Sequence, residues 1–112
     1  MEYDVSGTKI EANDNGYLID LQQWNEDVAR AIAAADDLEL TDKHFDVLNY
    51  LRDEYINNGE HQPSDREMLK GMGEIWGTRV GSKEMYELFP NQPSKQAGKI
   101  AGLPESRRKG GY

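Results

Sequence analysis

The clearest pattern along the chain is a series of apolar residues spaced three or four positions apart between residues 42 and 58. Such positions share one face of a helix, and here they are Phe45, Leu48, Leu51 and Tyr55. Thr41 is a favourable N-cap before this stretch, and Gly59 gives a stop signal after it. We expect this helix to form the centre of the hydrophobic core.

The amino-terminal part combines a short alternating pattern with a second helical pattern. Residues 8–12 alternate weakly between polar and apolar side chains, and the Asn15-Gly16 pair favours a turn before a second short apolar run. These features predict a β-hairpin within residues 1–20. Trp24 and Val28 then begin the apolar face of a helix over residues 22–35, which Asp20 or a neighbour caps.

Shorter helices are predicted in the second half of the chain. They are expected over residues 65–77, 83–88 and 94–101. Ser64 and Ser82 are the N-caps of the first two, and Pro93 opens the last. The glycines inside the first of these helices each cost about 1 kcal/mol relative to alanine, so we expect it to break or fray near its end.

The charge of the chain is distributed unevenly. The sequence has 112 residues, enough for one domain with a modest core, and its net charge is −8. Residues 1–92 sum to −12, whereas residues 93–112 sum to +4. An acidic body repels nucleic acid and anionic membranes at long range, while a basic tail is attracted to them or to an acidic protein. Docking of the tail on its own domain is the alternative.

The sequence also limits the compartment and the chemistry. It contains no cysteine, so it has neither disulfides nor thiolate metal sites. No apolar run approaches the roughly 20 residues that span a bilayer, and no secretory signal is visible at the amino terminus. We therefore expect a cytoplasmic protein that does not associate with membranes.

Three motifs near the carboxyl end are long and specific. They read Tyr86-Glu87-Leu88-Phe89-Pro90, Pro93-Ser94-Lys95-Gln96-Ala97 and Lys99-Ile100-Ala101-Gly102-Leu103-Pro104. Together they resemble the carboxyl-terminal pattern of the DsrC/TusE family of sulfur-relay proteins. The similarity continues upstream through residues 46–53, Trp24 and the Gly16-Tyr17-Leu18 segment, and it covers nearly the whole chain.

The resemblance implies a mostly helical fold with a small amino-terminal β-hairpin, a helix-turn-helix-like orthogonal bundle and a carboxyl-terminal arm. We expect one domain over residues 1–104, with the hairpin in 1–20, the helical core in 21–90 and an arm helix in 91–104. Residues 105–112 are then expected to form a mobile basic tail.

The resemblance also implies a chemistry that this chain departs from. In the family the arm carries a penultimate cysteine and, in many members, a second one upstream, and these thiols take up sulfur and pass it between partners. Here Gly98 occupies the upstream cysteine position, and a basic tail replaces the other. Because persulfide chemistry needs a thiolate, we expect that the chain is neither a sulfur carrier nor an enzyme.

What remains is an expected role in protein binding, regulatory or accessory to sulfur-relay or sulfite-reductase-type proteins, without a cofactor or a small-molecule substrate. The expected partner-binding residues are basic or amide side chains, namely Arg66, Lys70, Lys83, Lys95, Gln96, Lys99, Arg107, Arg108 and Lys109. One alternative is a sulfur-transfer protein of tRNA thiolation or of a dissimilatory pathway. Another is a DNA-binding regulator, although the candidate recognition helix over residues 65–77 offers few contacts to phosphates.

Other candidate sites are weaker. The two histidines, His44 and His61, have no ligand spacing, so we expect no metal site. The acidic cluster of Asp36, Asp37 and Glu39 is interpreted as solvated surface charge. The methionines of the predicted third and fourth helices are interpreted as core rather than as a groove for a partner segment.

Overall fold

The computed structural model describes residues 1–105 of the chain. This part contains two strands and five α-helices, namely β1 (Glu2–Val5), β2 (Thr8–Glu11), α1 (Glu26–Ala35), α2 (Asp42–Asn57), α3 (Asp65–Trp76), α4 (Ser82–Leu88) and α5 (Pro93–Ile100). The fold is mostly helical with a small amino-terminal antiparallel hairpin, as the sequence predicted. No helix in residues 1–105 is both long and apolar enough to cross a bilayer.

The amino-terminal hairpin is present, and β2 is one of the two predicted strands, but its partner is β1 rather than the segment after Gly16. β1 pairs with β2 in antiparallel register, with Tyr3 opposite Ile10 and both side chains buried. Gly7, at φ +87°, lies in the tight turn between the strands. The segment predicted as the second strand contributes only an isolated bridge between Ala12 and Leu18. The alternation in residues 2–5 is a weaker signal than the Asn-Gly turn, and this is why the prediction paired residues 8–12 with the segment that follows them instead of with β1.

The first helix begins later than predicted. Asp20 caps a single 3-10 turn, Leu21–Gln23, and the chain then extends through Trp24. α1 starts only after Asn25, whose side chain accepts a hydrogen bond of 2.9 Å from the backbone N–H of Val28. Trp24 is therefore outside the helix and packs against the other end of the chain.

α2 lies at the centre of the fold, as predicted, and contacts both α3 and α5. Its buried face differs slightly from the predicted one. The buried side chains are His44, Val47, Leu48 and Leu51. Phe45 and Tyr55, which the periodicity placed on this face, are partly buried at its edges.

α3 is continuous, so the expected break or fraying is wrong. A Cβ atom on Gly71 would lie 2.5 Å from the ring of Tyr50, and one on Gly73 would lie 3.0 Å from the carbonyl oxygen of Thr78. These two glycines allow close packing inside a regular helix, and Gly77, at φ +67°, ends it. The methionines of α3 and α4 belong to the core, because Met68, Met72 and Met85 are fully buried.

The last two helices follow the prediction to within one residue. α4 starts at Ser82 with Gly81 as its N-cap, so Ser82 is inside the helix rather than its cap. α5 starts one residue earlier than predicted, at Pro93, so this proline is the first residue of the helix. Phe89 between them is fully buried and stacks edge-on against the ring of His44 at 5.1 Å. This packing places α5 against both α1 and α2.

Candidate functional site on the carboxyl-terminal arm

The carboxyl end of α5 is held by two side chains from distant parts of the chain. Trp24 Nε1 donates to the carbonyl of Ile100 at 2.8 Å, and Arg52 Nη1 donates to the carbonyl of Ala101 at 2.7 Å. The guanidinium of Arg52 also lies 4.2 Å from the centre of the Trp24 ring. These bonds satisfy carbonyls that a helix leaves without an intrahelical partner at its carboxyl end. We call Trp24, Arg52 and Gly102 the arm anchor.

Gly102 is the part of the arm anchor that no other residue can replace. Its φ of +75° is in the left-handed region, and a Cβ atom there would lie 2.6 Å from Cδ1 of Trp24. The backbone N–H of Leu103 bonds to the carbonyl of Gly98, which closes α5 with the six-to-one bond of a Schellman motif. The conformation at Gly102 therefore turns the chain back under the Trp24 ring.

Beyond the arm anchor, Pro104 and Glu105 form further hydrogen bonds with residues from earlier in the chain. The carboxylate of Glu105 accepts hydrogen bonds from Asn13 Nδ2 at 2.9 Å and from Asn15 Nδ2 at 2.8 Å. Gln62 Nε2 donates to the carbonyl of Pro104 at 3.0 Å. We call Glu105, Asn13 and Asn15 the Glu105 clamp, and it joins the end of the described part to the segment that follows β2.

Two of the residues predicted to bind partners are engaged inside the protein. Lys99 Nζ lies 2.8 Å from Asp36 Oδ2, and the two side chains are only 18 % and 16 % exposed. Gln96 is buried, donates to Asp36 Oδ2 at 3.3 Å and accepts from the backbone N–H of Asn91 at 2.9 Å. Asp36 is therefore not a solvated charge, contrary to expectation, because it joins the end of α1 to α5. A role of Gln96 and Lys99 in partner binding stays a prediction.

Lys95 is close to this junction but is not part of it. Its backbone carbonyl accepts from the hydroxyl of Tyr17 at 3.4 Å, and its side chain lines a shallow cavity of about 250 Å³. Glu105 lines the same cavity. Burial first, and then the nearby carboxylates of Glu105 and Asp36, raise the pKa of Tyr17, so its phenol stays a neutral hydrogen-bond donor.

Gly98 lies in the middle of α5, where the resemblance places a family cysteine. It is half-buried, and apart from its chain neighbours and the backbone of its own helix no heavy atom lies within 4 Å of the position that a Cβ atom would occupy. The packing thus leaves space for a side chain at this position. Since the sequence has no cysteine at all, the arm has kept its attachment to the body without a thiol.

The other predicted partner-binding residues lie elsewhere. Arg66 and Lys70 are exposed on α3 and line one cavity together with Arg79, whereas Lys83 on α4 lines another with Lys43. The structure therefore does not bring the predicted residues into one site. Arg107, Arg108 and Lys109 lie outside the described residues.

The histidines have structural roles. His44 Nδ1 accepts from the backbone N–H of Thr41 at 2.9 Å, so Nε2 carries the proton and donates to the carbonyl of Leu88 at 2.8 Å. Burial lowers the pKa of His44, which favours this neutral form. His61 pairs with Glu67 at 3.0 Å on the surface. Within residues 1–105, no cluster of potential ligands could hold a metal ion.

Reasoning from the sequence does not find the residues that hold the arm. The periodicity assigns Trp24 to a helix face, and Arg52 stands out only as a member of a stretch that resembles the family. Neither pattern shows which group these side chains bind. Trp24 donates to a carbonyl 76 positions away along the chain, and Arg52 to one 49 positions away. The one available signal is that Trp24 and the segment around Arg52 both belong to the stretches that resemble the family.

Comparison with known protein families and relatives agrees with this resemblance. Residues 4–108 match the family described as DsrC like protein. A Haemophilus influenzae protein named "Sulfurtransferase TusE homolog" is 44 % identical over 102 residues, which covers 90 % of this chain and 93 % of that protein. The Escherichia coli protein "Sulfurtransferase TusE" is 39 % identical over 100 residues, covering 88 % and 91 % of the two chains.

Solved structures show the same fold. The NMR structure of DsrC from Allochromatium vinosum superimposes with a TM-score of 0.87 at 37 % identity, covering 96 % of this chain and 98 % of that one. The crystal structure of the oxidized gamma-subunit of the dissimilatory sulfite reductase (DsrC) from Archaeoglobus fulgidus gives a TM-score of 0.87 at 34 % identity, with the same coverage.

These comparisons correct one expectation and confirm another. The expectation that the chain is not an enzyme is wrong, because relatives that are 37 to 44 % identical to it are named sulfurtransferases. The names support a role in sulfur metabolism, and they give no support to a nucleic-acid partner. The expected resemblance is confirmed by the match over residues 4–108. The chain belongs to the DsrC family.

Proposed function

We propose that the protein takes part in sulfur transfer by binding other proteins of a sulfur relay or of a sulfite-reductase system. The sulfur itself is then not carried on a cysteine of these 112 residues. One observation carries the proposal. The arm is fixed to the body by the arm anchor, while Gly98, where a family thiol is expected, has no side chain and no neighbour that fills its place.

The missing thiol supports the second half of the proposal, that the sulfur is not carried on a cysteine of this sequence. A persulfide forms when a thiolate attacks the outer sulfur of a persulfide donor and the thiolate of the donor leaves, and this needs a polarisable nucleophile whose pKa lies near the ambient pH. Serine and tyrosine hydroxyls are not ionised at neutral pH. The pKa of the half-buried Tyr17, the tyrosine that bonds to the arm, is raised further. Neither type of hydroxyl can therefore replace the thiol.

The geometry of the arm supports the first half of the proposal, that the protein binds other proteins. Side chains of the body donate to the backbone carbonyls of Ile100, Ala101 and Pro104, and two asparagines donate to the carboxylate of Glu105. An ordered segment loses less conformational entropy on binding than a disordered one, so such a segment is suited to docking on another protein. The names of the relatives indicate the kind of partner, since one is a sulfurtransferase and a solved neighbour is a subunit of dissimilatory sulfite reductase.

The first experiment tests binding. The purified chain is mixed with the sulfur-relay proteins and any sulfite reductase of its own organism, and complexes are recovered under native conditions. We expect recovery of one such protein, and competition for it by a cysteine-containing relative such as Escherichia coli TusE. Recovery of none of these proteins would overturn the proposal.

The second experiment tests the missing thiol with Gly98→Cys. We expect the natural chain to show no mass gain from a sulfur atom after incubation with a persulfide donor. Gly98→Cys should gain sulfur, because the position has space for a side chain and is partly exposed. Ser82→Cys, at the exposed start of α4, is the matched control for a thiol placed elsewhere on the surface. A sulfur adduct on the natural chain would contradict the proposal.

The alternatives stay open to different degrees. A place in tRNA thiolation or in a dissimilatory pathway is compatible with both sets of relatives, and the binding experiment separates them. The structure does not support the DNA-binding alternative. On α3, Arg66 and Lys70 alternate with Glu67 and Glu74, whose carboxylates repel phosphates. The cytoplasmic location and the domain boundaries stay predictions.

A further inference from the structure

α3 and the segment that follows it form an open groove, which we call the basic groove. Its volume is about 410 Å³, and it is lined by Arg66, Leu69, Lys70, Gly73, Glu74, Arg79 and Val80. Arg66 and Lys70 are one helical turn apart on α3, and Arg79 comes from the connection to α4. The three cations are exposed, whereas Leu69 is partly buried and Val80 is 7 % exposed.

The cations of the basic groove differ from most others in the described part of the chain. Lys9, Arg30, Lys43 and Lys99 each pair with a carboxylate. Arg66, Lys70 and Arg79 form no ion pair with a carboxylate within residues 1–105, and among the described Lys and Arg residues they share this with Lys83, Lys95 and Arg52. Arg52 differs from them because it is partly buried and donates to a backbone carbonyl. In a chain with 21 acidic residues, a grouping of unpaired cations is not explained by folding.

We propose that the basic groove is a docking site for an acidic peptide segment of a partner protein. The segment would carry carboxylates that meet Arg66, Lys70 and Arg79, and an apolar side chain that covers Leu69 and Val80. Charge complementarity with a small apolar centre is a typical arrangement at protein interfaces. The proposal rests on the proposed function, because it names a surface for a partner of this protein.

A nucleic acid fits the same groove less well. Its backbone needs a row of cations, and Glu74 interrupts the row here. The apolar floor gives nothing to a phosphate, and the rest of the described surface is strongly acidic. An acidic peptide is also repelled by the acidic surface, but it carries fewer charges than a nucleic acid of the same length can present in a fixed row. It can place them opposite the three cations and cover the apolar floor with a side chain.

Fluorescence anisotropy tests the site directly. The probe is a labelled ten-residue peptide of Asp, Glu and Leu, and the same peptide with Asn and Gln in place of the acids is its control. We expect binding of the acidic peptide only, weakened by added salt. The triple variant Arg66→Glu, Lys70→Glu, Arg79→Glu should bind at least tenfold more weakly. Lys9→Glu, which changes an exposed cation on β2 outside the groove, should change the affinity less than twofold.

A second variant changes the affinity in the opposite direction. Glu74→Gln removes the carboxylate that lines the groove, so the acidic peptide should bind about twofold to fivefold more tightly. This variant keeps the size of the side chain and adds no charge, so its result does not depend on whether the triple variant folds. Unchanged affinity in both Glu74→Gln and the triple variant would overturn the proposal.

Two other outcomes also overturn it. A labelled single-stranded DNA of ten nucleotides that binds in a groove-dependent way, when the peptide does not, would assign the groove to nucleic acid. Self-association in analytical ultracentrifugation that the triple variant abolishes would assign it to a second copy of this chain.

The result can be separated from that of the proposed function. Peptide binding in the groove without recovery of any sulfur-relay protein would leave the inference standing and remove the proposed function. Recovery of such a protein by the triple variant, together with no peptide binding to the natural chain, would remove the inference and leave the proposed function standing.

Discussion

The arm anchor and the basic groove use the same types of side chain for opposite purposes. Arg52 at the arm anchor is partly buried, stacks on Trp24 and donates to a backbone carbonyl. Arg66 and Arg79 at the basic groove are exposed and form no ion pair with a carboxylate of residues 1–105, although Glu74 lines the same groove. In this small acidic protein, a cation holds the fold when it is enclosed and becomes available for binding when it is not. Residue type alone does not distinguish an enclosed cation that stabilises the fold from an exposed cation that is available for binding.

The largest expected effect concerns the arm anchor. Gly102→Ala places a Cβ atom 2.6 Å from Trp24 at a φ of +75°, so we expect it to lower the free energy of unfolding by about 2–4 kcal/mol. Gly98→Ala is the matched control on the same arm. Its Cβ atom meets nothing within 4 Å, and alanine favours a helix interior, so stability should rise by about 0.5–1 kcal/mol. Urea unfolding measures both, and equal losses would show that the arm anchor is not tightly packed.

A smaller effect is expected at the ion pair between α1 and α5. A double-mutant cycle with Lys99→Met and Asp36→Asn should give a coupling free energy of about 1–2 kcal/mol, because both side chains are mostly enclosed. The same cycle at Lys9 and Asp4, 62 % and 60 % exposed, should give less than about 0.5 kcal/mol. Indistinguishable couplings would remove the contrast between enclosed and exposed cations.

The hydrogen bonds of His44 predict a dependence of stability on pH. Burial lowers its pKa below the ordinary 6.5, and unfolding restores that value. Below pH 6.5 the unfolded chain therefore binds more protons than the folded one. The stabilisation is complete above pH 6.5 and declines as the pH falls through the folded-state pKa.

Urea midpoints between pH 8 and pH 5 check this expectation. His44→Gln should be less stable at pH 8 and should lose the decline in this window, whereas His61→Gln on the surface should keep it. A decline that persists in His44→Gln would assign it to other groups.

The smallest effect is expected at the basic groove. Arg66→Ala and Arg79→Ala should change the free energy of unfolding by less than about 0.5 kcal/mol, because these exposed side chains have no partner among residues 1–105. Thermal unfolding of each variant measures this. A loss above about 1 kcal/mol would mean that the groove contributes to the fold, and the contrast with the arm anchor would fail.

The sequence is sufficient where the structure depends on neighbours along the chain. Ser64 and Glu67 form a capping box at the start of α3, and Pro93 opens α5, as local rules predict. The loss of the thiol is likewise visible at Gly98 in the amino-acid sequence alone. The names of the relatives, which correct the expectation that the chain is not an enzyme, came in contrast only from comparison.

The sequence is insufficient where a distant group decides the local structure. The turn around Gly16 has a strong hairpin signal, yet its carbonyl accepts from the hydroxyl of Tyr3 and the glycine is buried. That tertiary contact replaces the predicted ladder with one bridge. Gly71 likewise has a low helix propensity, but the ring of Tyr50 lies over it and the helix continues. In both cases a ring from another element determines the outcome.

The Glu105 clamp has a consequence for the order of folding. It joins residues 92 and 90 positions apart, and the Trp24 bond to the arm joins residues 76 positions apart. Contacts of this range close the largest loops, so they are expected to form late, after α2 and α3 have paired. The lowest-energy partial opening of the molecule should then release the arm while the helical body stays folded. Hydrogen exchange at the amides of Ala101 and Leu103 would report this opening, ahead of exchange in α2.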